Sequence, residues 1–265
     1  MFRMGRSCPR DPRGTPTPAA GPRCHLVSRL RWSVVIPAFN EARRLPRYLA
    51  EIVSYFAGRN EPYEVLVADD GSTDGTQEAV ATIVSMHEPV RVLRHHRNEG
   101  KGAAVRRGML AARGEYRLFT DADGATPIGE LKRLEAALMG GAHVAVGSCA
   151  LPDPSVSVVA RRHRVVAGRA FSWIVQRLVV PGVVDSQCGF KAFTATAAVD
   201  LFEKLRTPGF GFDVELLLLA RACGYRVVEV PVNWIDQPGS KVRILGDGPA
   251  MLWEIAMARL RVGRR

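Results

Sequence analysis

Hydrophobic and polar positions between residues 31 and 145 follow two alternating periods. Short β-branched runs occur at SVVIP, YEVLVAD, VRVLRHH and YRLFT. Between these runs, apolar residues recur at helical spacing, as in the set Leu45, Leu49, Ile52, Val53 and Phe56. Strands that alternate with helices at this interval indicate βαβ units, whose parallel sheet is covered by helices on both faces. The pattern therefore predicts the α/β class, with a Rossmann-like, mostly parallel sheet flanked by helices.

The two ends of the 265-residue chain differ in composition from its middle. Residues 1–30 contain six Arg, one Asp and five Pro and show no helical or strand period, which is typical of a disordered segment. A transit-like leader and an over-extended start would both explain this segment. We predict three parts, which are a disordered basic leader (1–30), one main domain (31–248) and an amphipathic basic C-terminal helix (249–265).

Charge and cysteine usage narrow the function classes. The formal net charge is +11, of which residues 1–30 contribute +5 through six Arg and one Asp. Because much of the excess lies at the ends and aromatic residues make up only 7%, we predict no nucleic-acid partner. Nucleic-acid binding stays the alternative from a different function class. The five cysteines lack CxxC spacing, which favours reduced thiols in a cytoplasmic protein.

Polar motifs follow four of the predicted strands. These motifs are PAFNE, DDGSTDGT, RNEGKG and DADGATP, in chain order. Ligands of open parallel sheets bind beyond the carboxyl ends of the strands, so we expect the four motifs to gather at one edge. Asp121 and Asp123, in the last motif, are like charges one residue apart, and they repel each other. Either a divalent cation offsets this repulsion or the two aspartates cap amides in a solvated turn.

These motifs, together with VVIPAFNE and NEGKGAAVRRG, resemble the nucleotide-sugar half of the inverting family 2 glycosyltransferases, which have the GT-A fold. The later segments DSQCGFKAF, FGFDVEL and SKV resemble the branch of this family that uses polyprenyl phosphates. The resemblance implies a nucleotide-sugar donor and a polyprenyl or dolichyl phosphate acceptor. Glucose from UDP-glucose is the expected sugar. The alternatives are a GDP-mannose-dependent enzyme of the same branch and a family 2 transferase with a soluble hydroxyl acceptor.

The resemblance also implies the residues that bind the donor. Glu41 would accept hydrogen bonds from ribose hydroxyls, and Asp70, rather than Asp69, would accept from uracil N3–H. Lys101 would reach the base edge or a phosphate. The residues alone also allow helix capping by Asn40 and Asp70 and a solvated Lys101. The full predicted donor-binding set is Pro37, Ala38, Asn40, Glu41, Asp70 and Lys101.

The metal and catalytic positions follow from the same resemblance. Asp121 and Asp123 match the D-x-D motif that holds Mg²⁺ or Mn²⁺ against the diphosphate of the donor. Ala125 stands where the mannosyl branch carries a metal-binding Gln, which favours glucosyl transfer. Asp213 is the third predicted catalytic residue. It would act as a base for a hydroxyl acceptor, and would orient the sugar or an arginine for a phosphate acceptor.

Basic residues in the second half of the chain are predicted to bind the acceptor phosphate. A lipid phosphate is already an anion, so it needs cations that hold it in line more than it needs a base. The predicted acceptor set is Arg161, Arg162, Gln187, Lys191 and Lys241. An exposed basic helix face is the alternative for the arginines. His95, His96 and His163 lack metal spacing and are predicted to be solvated.

The C-terminal segment predicts contact with a membrane surface. PAMLWEIAMARLRVGRR combines apolar residues with Trp253 and several arginines, a composition that suits an anionic lipid surface. No run in the chain approaches the ~20 apolar residues of a spanning helix. We therefore expect a cytoplasmic protein that is peripheral at the inner face of the plasma membrane. An ordinary helix packed on the sheet is the alternative.

Overall fold

The computed structural model of the chain describes residues 30–159, 183–238 and 244–263. The strands in these ranges are β1 (Trp32–Ala38), β2 (Tyr63–Asp69), β3 (Val90–Arg94), β4 (Tyr116–Thr120), β5 (Val144–Ser148), β6 (Val158–Val159), β7 (Phe190–Thr194), β8 (Val227–Pro231) and β9 (Trp234–Ile235). The helices are α1 (Leu45–Ala57), α2 (Thr76–Met86), α3 (Lys101–Ala111), α4 (Leu131–Met139), α5 (Ala195–Lys204), α6 (Phe212–Ala222) and α7 (Ile244–Val262).

Seven of these strands form one central sheet in the order β3-β2-β1-β4-β7-β5-β8. The pairs β1–β2, β1–β4, β2–β3 and β5–β8 are parallel, whereas β7 is antiparallel to both of its neighbours. Strands β6 and β9 form a separate two-stranded parallel ribbon. The predicted mostly parallel sheet flanked by helices is confirmed.

The sheet is buried on both faces, as expected for strands covered by helices. Every residue of β1 is buried, and its one polar side chain, Ser33, donates a hydrogen bond to Glu64 of the neighbouring strand. Helix α1 packs its apolar stripe on one face of the sheet. On the other face, α3 approaches so closely that a Cβ on Gly108 would overlap with Val35. Small residues in α3 therefore set its distance from the strands that carry the site.

Strand β7 differs from the sequence-based expectation. No strand was predicted for the segment around DSQCGFKAF, which contains a strand that pairs with β4 and β5. Its second residue, Lys191, is fully buried, and a charged residue inside the strand hides it from a search for apolar runs. Helix α5 follows directly, and the Thr194 hydroxyl accepts a hydrogen bond from the Ala197 amide at its N-terminus.

Helix α7 packs against the domain along one face. Met251, Ile255 and Ala258 are buried there. The Glu254 carboxylate accepts hydrogen bonds from the Gly209 and Gly211 amides, just before α6 begins. A carboxylate at this end of a helix is favourable because the first amides lack partners within the helix. The predicted boundary at 248/249 falls inside α7, and the division of the chain into three parts stays a prediction.

Among residues 30–159, 183–238 and 244–263, no helix is both long and apolar enough to cross a bilayer.

The packing of α7 generates a stability prediction. Ile255 is 3% exposed within the core, whereas Leu252 on the same helix is 43% exposed. Ile255→Ala should lower the free energy of unfolding by about 2–4 kcal/mol, because it removes buried methyl groups and leaves a cavity. Leu252→Ala should change it by no more than about 0.5 kcal/mol. Urea unfolding followed by circular dichroism measures both, and equal losses would mean that α7 does not pack as described.

Candidate active site

The polar motifs meet at the carboxyl edge of the sheet, as predicted. The segment after β1 lies beside the segment after β2, since the Asp70 amide donates to the Ala38 carbonyl at 2.8 Å. The segment after β3 joins them through the His95 amide, which donates to the Asp69 carbonyl at 2.8 Å. The start of β7 closes the other side, where the Asp121 amide donates to the Gly189 carbonyl at 3.0 Å.

Asp121 and Asp123 each lie beside a cation of the chain. Asp121 Oδ1 is 2.6 Å from Lys101 Nζ, and Asp123 Oδ2 is 3.5 Å from Arg44 Nη1. Burial and the neighbouring Asp121 carboxylate raise the pKa of Asp123 above its ordinary value. The Ala125 amide, which donates to Asp123 Oδ1 at 3.1 Å, and Arg44 oppose this rise. The two aspartates are therefore partly buried and charge-compensated, and Asp123 also caps the Ala125 amide within its turn.

The loop that carries these aspartates is fixed from α1. The Tyr48 hydroxyl lies 2.9 Å from Thr120 Oγ1 and donates to the Thr126 carbonyl at 2.9 Å. Gly124 has a φ of +67°, and a Cβ there would press on the Tyr48 ring at 2.9 Å. The loop can follow this path because its tightest position carries no side chain. Tyr48 thus holds both ends of the loop.

The carboxylates of Asp121 and Asp123 fit a divalent cation that takes its remaining ligands from a bound substrate. Within the described residues, no group of three or more His, Cys, Asp or Glu side chains could hold a metal ion by itself. Mg²⁺ is commonly held by one or two carboxylates together with substrate phosphates and water. The two neighbouring carboxylates match that pattern, and a cation there would offset their repulsion. Asp121 and Asp123 are the residues that would hold it.

Asn40 joins the first two motifs instead of capping a helix. Its backbone has a φ of +54°, its amide donates to Ser72 Oγ at 2.9 Å, and its Oδ1 accepts from the Thr73 amide at 2.8 Å. The alternative role as the cap of α1 is wrong, because the N-cap position of that helix is Arg44. Asn40 therefore joins the loop after β1 to the loop after β2, and both loops belong to the predicted nucleoside pocket.

Glu41 is held by two different elements. Its amide donates to Thr76 Oγ1 at 2.8 Å, and its carboxylate accepts from Arg44 Nε at 2.7 Å and from Nη2 at 2.5 Å. Pro37 and Ala38 belong to β1 and are buried. In this arrangement their predicted contact with a nucleoside would come from the backbone at the end of the strand.

Asp70 supports the turn that precedes α3. Its carboxylate accepts from the Glu99 amide at 2.9 Å and the Gly100 amide at 2.8 Å, and it lies 3.0 Å from His95 Nδ1. It does not cap α2, whose N-cap is Gly75. The prediction that His95 is solvated is wrong, because its ring is buried against Asp70. Asp70 is itself buried, and its predicted contact with uracil stays a prediction.

Lys101 opens α3 and points toward the paired aspartates. Its side chain is 20% exposed, and Nζ lies 5.9 Å from the centroid of the Phe119 ring. Burial lowers the pKa of Lys101, but Asp121 and Asp213 together raise it above its ordinary value. A solvated lysine at the start of a helix is therefore ruled out, and the ammonium group is placed to meet an anion beside Asp121.

Lys191 and Asp213 form a buried ion pair behind this cluster. Lys191 Nζ donates to Asp213 Oδ1 at 2.5 Å and to the Cys188 carbonyl at 2.6 Å. Burial raises the pKa of Asp213, although Lys191 opposes the rise. Lys191 holds α6 and the turn before β7 together, and its predicted contact with an acceptor phosphate would require this pair to open. The predicted catalytic role of Asp213 stays a prediction.

The remaining predicted acceptor residues are only partly described. Gln187 lies on the turn before β7, where its backbone amide donates to Asp185 Oδ1 at 3.1 Å. Asp185 also accepts from the Cys149 amide and the Cys188 amide, so one carboxylate organises this turn. The other predicted acceptor contacts lie outside the described residues, and these are Arg161, Arg162 and Lys241. His163 lies outside them as well.

Three residues of the site were not predicted from the sequence. Arg44 lies directly before α1, and Tyr48 lies within this helix. The only signal in the sequence is the spacing of three between Glu41 and Arg44, which is compatible with an ion pair. Gly189 supports the metal-binding candidate directly, because a Cβ there would overlap with Oδ2 of Asp121. A glycine in a turn gives no such signal by itself.

The sequence matches the family model "Glycosyl transferase family 2" over residues 33–199. The chain belongs to glycosyl transferase family 2. The "Dolichyl-phosphate beta-glucosyltransferase" of Drosophila melanogaster is 40% identical over 226 residues, which cover 80% of this chain and 69% of that protein. The protein of the same name from Dictyostelium discoideum is 34% identical over 249 residues, which cover 89% and 76%.

Solved structures share the fold at lower identity. Glucosyl-3-phosphoglycerate synthase from Mycobacterium tuberculosis, in complex with uridine-diphosphate, has a TM-score of 0.64 and 21% identity over 88% of this chain and 80% of that chain. The complex of the same enzyme with Mn²⁺ and uridine-diphosphate-glucose has a TM-score of 0.62 and 20% identity, with coverage of 88% and 78%. The predicted GT-A arrangement of the sheet and helices is thereby confirmed.

The contact between Gly189 and Asp121 can be tested with a matched pair of glycines. Gly189→Ala should displace the Asp121 carboxylate and lower kcat/KM for sugar transfer by about 10²-fold, since small misplacements of reacting groups are costly. Gly129→Ala should have no such effect, because nothing lies within 4 Å of the added Cβ. Steady-state kinetics on both variants, after a thermal melt confirms folding, would contradict the placement if their kcat/KM values agree.

Proposed function

We propose that this protein transfers glucose from UDP-glucose to a polyprenyl phosphate such as dolichyl phosphate. The observation that carries the proposal is the 40% identity, over 80% of the chain, to a dolichyl-phosphate beta-glucosyltransferase. The geometry of the site supports it, because paired carboxylates and a lysine lie together at the edge of the sheet where the donor would bind.

The proposed reaction exchanges one carbon–oxygen bond for another. An oxygen of the acceptor phosphate forms a bond to the anomeric carbon of glucose, and the bond from that carbon to the diphosphate oxygen breaks. UDP leaves with the electron pair. Because the attacking oxygen is already anionic, no side chain has to remove a proton from it. This is consistent with a site whose nearby acid, Asp213, is buried against Lys191.

Negative charge on the leaving diphosphate is the main electrostatic demand of this reaction. A divalent cation held by Asp121 and Asp123 would act as a Lewis acid there. Lys101 adds a positive charge that is partly exposed beside Asp121, so it can bind the same diphosphate by a charge-assisted hydrogen bond. The chain thus supplies one cation directly and two anions that would hold another.

Ala125 favours glucosyl over mannosyl transfer. Its amide donates to Asp123, and its carbonyl accepts from the Ile235 amide at 2.8 Å, which fixes the backbone of the loop. Its methyl group cannot bind a metal ion, unlike the Gln that the mannosyl branch carries at this position. The position therefore contributes no side-chain ligand.

A transfer assay with two donors and two acceptors tests the proposal. The full chain is incubated with labelled UDP-glucose or GDP-mannose, and with either a short polyprenyl phosphate or a soluble sugar alcohol. We expect a lipid-extractable product that releases glucose in mild acid, and only from UDP-glucose with the polyprenyl phosphate. A labelled product from GDP-mannose, or one that stays in the aqueous phase, would overturn the assignment of sugar or acceptor.

The metal requirement follows from the paired carboxylates. EDTA should abolish transfer, and Mn²⁺ or Mg²⁺ should restore it. Asp123→Asn should lower the rate by about 10²–10⁴-fold if a cation stabilises the leaving group. Asp200→Asn, which removes a carboxylate from α5, is the control and should leave the rate unchanged. Full activity in EDTA would reject a metal-dependent reaction.

We also propose that α7 contacts the membrane that carries the acceptor. The outward side of this helix exposes Leu252, Trp253, Met257 and Leu260, and Trp253 is 69% exposed. A helix that is apolar on both sides needs a second partner besides the core. Arg259 is exposed on the same helix, and a basic residue near an anionic surface adds about 1 kcal/mol of attraction. These features suit a reversible contact with anionic lipid.

Sedimentation with lipid vesicles tests this contact. Trp253→Ser combined with Leu260→Ser should abolish binding to vesicles that contain phosphatidylglycerol and preserve transfer to a short, water-soluble polyprenyl phosphate. Met86→Ser is the matched control, because Met86 is 71% exposed on α2 and its loss should not affect vesicle binding. Unchanged binding by the double variant would show that α7 is not the lipid-facing element.

A further inference from the structure

Arg44 contacts three parts of the candidate site at once. Its Nε and Nη2 atoms donate to the two oxygens of Glu41, at 2.7 Å and 2.5 Å. Its Nη1 atom lies 3.5 Å from Asp123 Oδ2 and 3.4 Å from the Pro238 carbonyl. One guanidinium group therefore links the predicted ribose contact, the predicted metal ligand and the segment that follows β9.

The contacts with Glu41 and Asp123 differ in strength. The two hydrogen bonds to Glu41 are short and parallel, which is the strongest geometry for an arginine and a carboxylate. The contact with Asp123 is a single, longer ion pair on a side chain that is 22% exposed. The guanidinium group can lose its contact with Asp123 while it keeps both bonds to Glu41.

A cation at Asp123 and the guanidinium group of Arg44 would share one carboxylate. A positive charge that already lies beside a carboxylate lowers the affinity of that carboxylate for a metal ion, because the cations repel each other and compete for the same oxygen. Lys101 has the corresponding position at Asp121, but its contact is closer, at 2.6 Å. The longer Arg44 contact is the one that a metal ion displaces more readily.

We propose that Arg44 is a positioning residue that couples the metal site to the nucleoside site. It yields Asp123 to the divalent cation and keeps the Glu41 carboxylate aimed at the ribose of the donor. This inference rests on the proposed function, since it assumes that a nucleotide and a metal ion bind here. Arg44 takes no part in bond formation.

Two binding measurements separate these two effects without the acceptor reaction. The affinity for Mn²⁺ alone is measured from the electron paramagnetic resonance signal of free Mn²⁺, and the affinity for UDP is measured by calorimetry at saturating Mn²⁺. Arg44→Gln should bind Mn²⁺ about two- to fivefold more tightly, because an ion pair of this exposure is worth at most about fivefold in affinity. The same variant should bind UDP about tenfold more weakly, because the Glu41 carboxylate loses its paired donors.

Two further variants make the result specific. Arg44→Lys keeps the charge but not the two-pronged geometry, so it should bind Mn²⁺ like the parent and UDP more weakly. Arg43→Gln removes an equal charge from an exposed neighbour and should change neither affinity. Arg44→Gln with unchanged or weaker Mn²⁺ binding, or Arg43→Gln with the same effects, would overturn the inference. A parent chain that binds neither Mn²⁺ nor UDP would overturn the proposed function, and the inference with it.

Discussion

Repulsion between Asp121 and Asp123 is the constraint on which the site depends. Two carboxylates one residue apart, partly removed from water, are stable only if positive charge lies close to them. The chain supplies this charge from two distant elements, Lys101 at the start of α3 and Arg44 before α1. Each of these cations is fixed in turn by other contacts, Arg44 by Glu41 and Lys101 by the turn that Asp70 holds. The contacts at this edge of the sheet therefore hold two negative and two positive side chains in place, which are Asp121, Asp123, Lys101 and Arg44.

The antiparallel strand β7 is what separates this site from that of a purely parallel sheet. It brings Gly189 against the Asp121 carboxylate and buries Lys191 beneath it. Lys191 and Asp213 then form an ion pair with no net charge behind the two partly buried carboxylates of Asp121 and Asp123. This pairing compensates the negative charge of Asp213 close to them. A buried ion pair of this kind adds little stability by itself, because both groups lose water. Its consequence here is positional, since it joins α6 to the turn that precedes β7.

The sequence predicted the parallel core and the site edge but not the partners within the site. Runs such as SVVIP and YEVLVAD identify buried strands because both faces of the sheet are covered, and strand ends then locate the motifs. The pairs Arg44–Asp123 and Lys191–Asp213 join residues far apart in the chain, so no local period reveals them. Strand β7 was missed because Lys191 interrupts its apolar run. His95 was assigned to solvent because its partner, Asp70, is 25 positions away in the chain.

The hydrogen bonds of Glu254 also affect the order in which parts of the protein can fold during synthesis. The loop that Glu254 holds, through the amides of Gly209 and Gly211, packs directly against the Gly100–Gly102 turn that carries Lys101. The partner of that loop is thus encoded about 150 positions after Lys101. Strands β1 to β4 leave the ribosome early. The loop that packs against the turn of Lys101 is held by Glu254 only after α7 has emerged. A nascent chain would therefore contain every residue of the metal site for some time before that site acquires its final geometry.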